Sequence, residues 1–150
     1  MDYHRLQSSH AEGSSRQTIL FVDDHMNLRD SIAVLLELEG YDVIDAANGR
    51  EALKHLSSAS GQNVGAIVLD LTMPVMDGWQ LLAECRKSPA FSEIHTIVVT
   101  GASDAKRRSK ELGDLAVFTN PFHFDELIRE VRRVLDERKN TKRTVLRFTN

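Results

Sequence analysis

The chain has 150 residues, 41% hydrophobic and 27% charged, with a net charge of −3; that predicts one globular domain with a core of its own. The charge argues against whole-domain nucleic-acid binding, which usually needs a basic surface, and a single cysteine, Cys85, excludes an internal disulfide and suits a reducing compartment. No stretch approaches the roughly 18 apolar residues of a spanning helix, and the N-terminus has no signal-like apolar region, so a cytoplasmic protein away from membranes is expected. Residues 1–17 are polar and aperiodic and read as a flexible extension. Thr18 to Val22 is then a short run of β-formers ending in acids. Asn27 to Glu39 carries Leu28, Ile32, Leu35, Leu36 and Leu38 at helical spacing and closes on Gly40. Tyr41 to Ala46 suits a strand, and Asn48 to Ser57 a helix with Ala52, Leu53 and Leu56 on one face. Val64 to Leu69 is a continuous apolar strand, Asp77 to Lys87 a helix, Ile94 to Val99 another buried strand. A polar helix from Ser103 to Leu112, a strand from Leu115 to Phe118 and an amphipathic helix from Phe124 to Glu137 complete the pattern. In the last helix Leu127, Ile128, Val131, Val134 and Leu135 share a side. Residues 18–138 thus form the domain, and 139–150 a basic tail, read as solvated or as an interaction arm.

Five strands alternate with five helices. Apolar strands without polar alternation are buried on both faces, which requires a mostly parallel sheet covered by helices on each side. Right-handed crossovers make this a doubly wound α/β fold. Ligands bind such sheets beyond the carboxyl ends of the strands. The residues there are Asp23 and Asp24, Asp70, Thr100, and Asn120 before Pro121.

Three carboxylates in one crevice repel one another. Two unit charges about 4 Å apart cost about 4 kcal/mol at an effective dielectric of about 20. Such a cluster calls for a cation or a function. Oxygen donors without Cys or His favour a hard divalent ion such as Mg²⁺. The competing reading makes Asp24 a plain helix cap.

The runs Phe21-Val22-Asp23-Asp24-His25, Val68-Leu69-Asp70-Leu71-Thr72-Met73-Pro74-Val75-Met76-Asp77-Gly78 and Val98-Val99-Thr100-Gly101 resemble the signature of two-component response-regulator receiver domains over roughly Thr18 to Glu137. The resemblance implies a flavodoxin-like five-stranded parallel sheet of order 2-1-3-4-5. It makes Asp70 the phosphoacceptor, a carboxylate nucleophile. Asp24 would ligate Mg²⁺, with Asp23 in support, Asp70 itself, and the Thr72 backbone carbonyl as a further ligand. Thr100 would bind a phosphoryl oxygen. Met73 and Pro74 would shape the turn after the acceptor, and Asp77 and Gly78 would start the next helix. The donor would be a phosphohistidine on a sensor histidine kinase or histidine phosphotransfer protein; no Walker-type glycine loop is present.

Two positions depart from that pattern. Asn120 stands where the family usually has a lysine, so the pocket lacks a cation. Val117 stands where receivers often have a tyrosine or phenylalanine, and the neighbouring Phe118 points to the other face of its strand. These departures predict an atypical or weak readout and leave a pseudo-receiver, acting independently of phosphorylation, as the alternative. An aspartyl phosphatase is disfavoured, because Thr72 occupies the place of its usual second acid. Too little chain follows Glu137 for a DNA-binding domain, so signalling is expected through an unknown downstream protein. His4, His10, His55, His95 and His123 are scattered, while His25 is placed to line the pocket rim. The basic run Lys106, Arg107, Arg108 and Lys110 reads as a solvated face, Trp79 as a packing or partner-contact residue, and Cys85 as a packed side chain.

Overall fold

In the computed structural model, residues 16–101, 109–113 and 115–148 are described. The strands are β1 (Thr18–Val22), β2 (Asp42–Ala46), β3 (Val64–Leu69), β4 (His95–Gly101) and β5 (Val117–Asn120). The helices are α1 (Met26–Leu38), α2 (Gly49–Leu56), α3 (Gly78–Lys87), a short α4 (Ser109–Leu112) and α5 (Phe124–Phe148), and a 3₁₀ turn, Ala59–Asn63, leads into β3. The strands form one parallel sheet in the order β2-β1-β3-β4-β5, the doubly wound architecture expected from the alternating pattern.

Strand alternation sorts the core into two layers. Leu20, Val22, Ile67, Leu69 and Val98 face one way and meet Ala52 and Leu56 of α2, Leu81, Leu82 and Cys85 of α3, and Leu112 of α4. Ile19, Phe21, Ala66, Val68, Ile97 and Val99 face the other way and meet Ile32 and Leu36 of α1 and Leu127, Ile128, Val131, Val134 and Leu135 of α5. Burying a side chain of this size contributes about 1.5–3 kcal/mol, so the pattern resists any one-residue slip, which would turn each strand inside out. Cys85 is packed into the first layer, and burial pushes its thiol up to about 11. Trp79 packs half-buried against the same layer.

Several local expectations shift. In α1 only Ile32 and Leu36 are buried, while Leu35 is 38% and Leu38 78% exposed. The helix turns a narrower face to the sheet than its leucine content suggests. The fifth strand lies two residues later than expected, because it pairs Val117 with Val98 and Asn120 with Gly101. Helix α5 does not stop at Glu137 but continues to Phe148. Residues 1–15 and 102–108 lie outside the described residues, and with them His4, His10, Lys106, Arg107, Arg108 and the start of the helix expected from Ser103. No helix among the described residues is long and apolar enough to cross a membrane.

Candidate functional site

The acids after β1 and β3 are held by the sheet itself. The Asp23 amide donates to the Ala46 carbonyl at 3.1 Å and the Asp70 amide to the Val22 carbonyl at 2.9 Å. Both ladders therefore run one rung past the assigned strands, and the two carboxylates emerge side by side. Arg29 secures the β1 turn from behind. Its guanidinium donates to the Asp23 carbonyl at 2.8 Å and to the Asp45 carboxylate at 3.0 Å.

Asp23, Asp24, His25 and Asp70 each offer one donor atom within 4.8 Å of the others. Asp23 is 3% exposed, and its Oδ1 accepts from the His25 amide at 2.8 Å. His25 Nδ1 lies 3.0 Å from Asp23 Oδ1 and 3.1 Å from Asp24 Oδ1. These carboxylates raise the imidazole pKa, led by the Asp23 hydrogen bond. The cluster is thus not all oxygen, as the reading of the acids alone had it: a histidine sits over two of its members. Asp24 does not cap α1. The cap position belongs to His25, with no side-chain cap bond.

Asp70 is half-buried. Its Oδ1 accepts from the Thr72 amide at 3.2 Å, which folds the chain back over the carboxylate. Burial, more than the nearby Asp23 and Asp24 charges, pushes its pKa up to about 6. A carboxylate so far above its ordinary range is poised for a cation or a reaction. Downstream, Met73 is buried, Pro74 and Val75 are exposed, and Val75 adopts a φ of 70°, uncommon for a β-branched residue. The turn closes where the Gly78 amide donates to the Leu71 carbonyl at 3.0 Å. A Cβ on Gly78 would lie 2.5 Å from the Asp70 carbonyl oxygen; only glycine lets α3 start this close to Asp70. Asp77 caps α3, accepting from the Gln80 amide at 2.9 Å, while the Gln80 side chain accepts from the Asp77 amide at 3.0 Å.

On the other side stands Thr100, paired in register with Thr119 near the end of β4. It is 1% exposed, and its Oγ1 has no hydrogen-bond partner among the described residues. A buried hydroxyl left unmatched costs about 1–3 kcal/mol, so Thr100 holds a donor that the fold itself does not use. Asn120 is exposed at the end of β5, before a cis Asn120–Pro121 peptide. Val117 packs with the α2–α3 layer and Phe118 with the α1–α5 layer. The two residues do face opposite ways.

The donor chemistry suits a hard divalent ion, because carboxylates are in excess. The nitrogen of His25 is the one softer donor in the group; its place after the acid pair put it at the pocket rim, and the structure brings it within reach of the same ion.

Residues 19–132 match the response regulator receiver domain family. The chain is 33% identical over 126 residues to sporulation initiation phosphotransferase F of Bacillus subtilis, covering 83% of this chain and 98% of that protein. It is 37% identical over 122 residues to the probable transcriptional regulator ycf27 of Porphyridium aerugineum, covering 80% of this chain but only 48% of that relative. It thus spans about half the length of one relative and nearly all of another. Among solved structures, a CheY-like receiver domain protein from Methanospirillum hungatei superposes with a TM-score of 0.73 at 29% identity, covering 85% of this chain and 99% of that one. Sheet order, acid cluster, buried threonine and sequence match agree, and the chain belongs to the response regulator receiver domains, the phosphorylatable signalling modules of two-component systems.

Proposed function

We propose that this chain takes a phosphoryl group on Asp70 from a phosphohistidine of a sensor histidine kinase or histidine phosphotransfer protein, in the cytoplasm, and signals by contact with a downstream protein. The observation that carries the reading is the convergence of Asp70 with Asp23 and Asp24, with the unmatched Thr100 hydroxyl near the end of the neighbouring strand. An Asp70 oxygen attacks phosphorus, the P–N bond breaks, and the imidazole leaves with its electron pair and takes a proton from solvent. Asp24 and Asp70, with Asp23 in support and the Thr72 carbonyl as a further ligand, would hold Mg²⁺. When bound, the ion offsets the repulsion between carboxylate and phosphoryl oxygens and aligns the transfer. Thr100 donates its hydroxyl to a phosphoryl oxygen. Met73 and Pro74 keep the turn clear of the acceptor.

The readout is atypical, because Asn120 can donate a hydrogen bond to the phosphoryl group but supplies no charge. A second reading rests on the same residue together with Val117: a pseudo-receiver whose contacts do not depend on phosphate. Incubation with Mg²⁺ and acetyl phosphate or beryllofluoride separates the two. The first reading expects a mass gain of one phosphoryl group, or amide shifts centred on Asp70 and Thr100. No change at saturating reagent leaves only the second.

A further inference from the structure

At the opposite rim of the sheet, where β1 and β3 begin, a cavity of about 190 Å³ opens beneath the C-terminal half of α5. Its lining includes Arg16, Arg138 and Lys139 together with the amides of Gln17, Gln62 and Asn63, and no carboxylate. Three cations and three neutral dipoles around one cavity, in a chain of net charge −3, form a local field opposite in sign to the whole.

The guanidiniums are positioned mainly by backbone carbonyls. Arg138 donates to the Val64 carbonyl at 2.7 Å. Arg16 donates to the carbonyls of Gly40 at 3.1 Å, Glu37 at 2.9 Å and Tyr41 at 3.3 Å. A carbonyl orients a cation without cancelling its charge. Among the described residues one carboxylate pairs with these cations: Asp42 lies 3.5 Å from Arg16 Nε and does not line the cavity. Lys139 has no hydrogen-bond or ion-pair partner among the described residues, and neither do the side chains of Gln17, Gln62 and Asn63. Gly65 lets α5 pack close on β3 beside the cavity: a Cβ there would lie 2.5 Å from Leu135 Cδ2 and 3.7 Å from the Arg138 guanidinium.

We infer that this cavity binds a small phosphate-like oxyanion, held by Arg138, Lys139 and Arg16 and oriented by the three amides. A tetrahedral dianion, with more charge and more acceptor oxygens, uses the guanidinium N–H groups left over by these carbonyls and an ammonium point charge better than a monocarboxylate does. Its binding would tie α5 to the starts of β1 and β3, at the end of the sheet remote from Asp70, and is independent of phosphoryl transfer there.

The test is a titration of the ¹⁵N-labelled full chain with inorganic phosphate, in EDTA, at constant ionic strength balanced with chloride. Saturable shifts are expected at the amides of Gly65, Gln62 and Asn63, with acetate binding at least fivefold more weakly. Lys139→Gln, a surface change that leaves the core intact, is expected to weaken phosphate binding about fivefold, and Arg138→Gln about tenfold. Shifts that rise linearly, that chloride or acetate reproduces, or that survive Lys139→Gln unchanged overturn the inference.

Discussion

The two sides of the proposed phosphoryl pocket are built differently. On the β1–β3 side every strand residue is buried, the ladder hydrogen bonds run past the strand ends to Asp23 and Asp70, and Gly78 closes the turn against the Asp70 backbone. On the β4–β5 side, β5 has only four residues and none is fully buried, and its last member is an exposed asparagine. Accepting a phosphoryl group demands fixed geometry, which the centre of a parallel sheet supplies. Reporting it demands an element that can move, and an edge strand with little buried area is the place where movement costs least. In this chain β5 also ends on Asn120, a neutral side chain.

The sharpest break of the comparison is Asp70→Asn. It is expected to abolish phosphoryl uptake from acetyl phosphate by intact mass, and uptake that persists at full level moves the acceptor elsewhere. Gly78→Ala probes the rigidity of the central side. Its methyl meets backbone rather than a yielding side chain, so a loss of about 2–3 kcal/mol is expected by urea denaturation. A loss below about 0.5 kcal/mol removes the close-approach argument. Asn120→Lys restores charge to the weak side and should prolong the phosphorylated state or tighten beryllofluoride binding several-fold, while an unchanged or weaker response counts against the missing-cation argument.

The smallest effect concerns pH. Asp70 has a folded-state pKa of about 6, above its ordinary value of 3.8. Its charge therefore penalises the fold. The penalty is absent below about pH 4, grows as pH rises through that window, and is complete above about 6. With divalent ions removed, Asp70→Asn should stabilise the chain at pH 7 by about 1 kcal/mol once solvent screening of this half-buried group is allowed for. The gain should vanish near pH 4. A melting-temperature difference that is flat from pH 4 to 7 contradicts this account.

What could be read in advance follows the same division. β3 is unbroken apolar sequence between a polar turn and an acid, so its identity, its burial on two faces and the placement of Asp70 beyond it were all legible. The capping box of α3 was legible in part, through Asp77 and Gly78. β5 was not: Leu115, Ala116, Val117 and Phe118 are as apolar as a strand needs, and the two-residue offset comes from pairing with β4, a tertiary fact. The leucines of α1 misled for a related reason. Helical spacing says which residues share a face, whereas the width of the contact with the sheet decides that Leu38 stays in water. His25 joined the acids because of a local bend that brings its ring over both carboxylates, and one histidine after two aspartates carries no periodic signal.

Helix α5 begins four residues after Asn120 and runs unbroken for 25 residues, a rod of about 37 Å at 1.5 Å per residue. Its near end adjoins the edge of the phosphoryl pocket, while its far end stands beyond the opposite rim. Pivoted at Phe124, a tilt of about 5° would sweep Phe148 through roughly 3 Å. A displacement too slight to rearrange the pocket could thus be amplified by leverage into one that a neighbouring molecule feels.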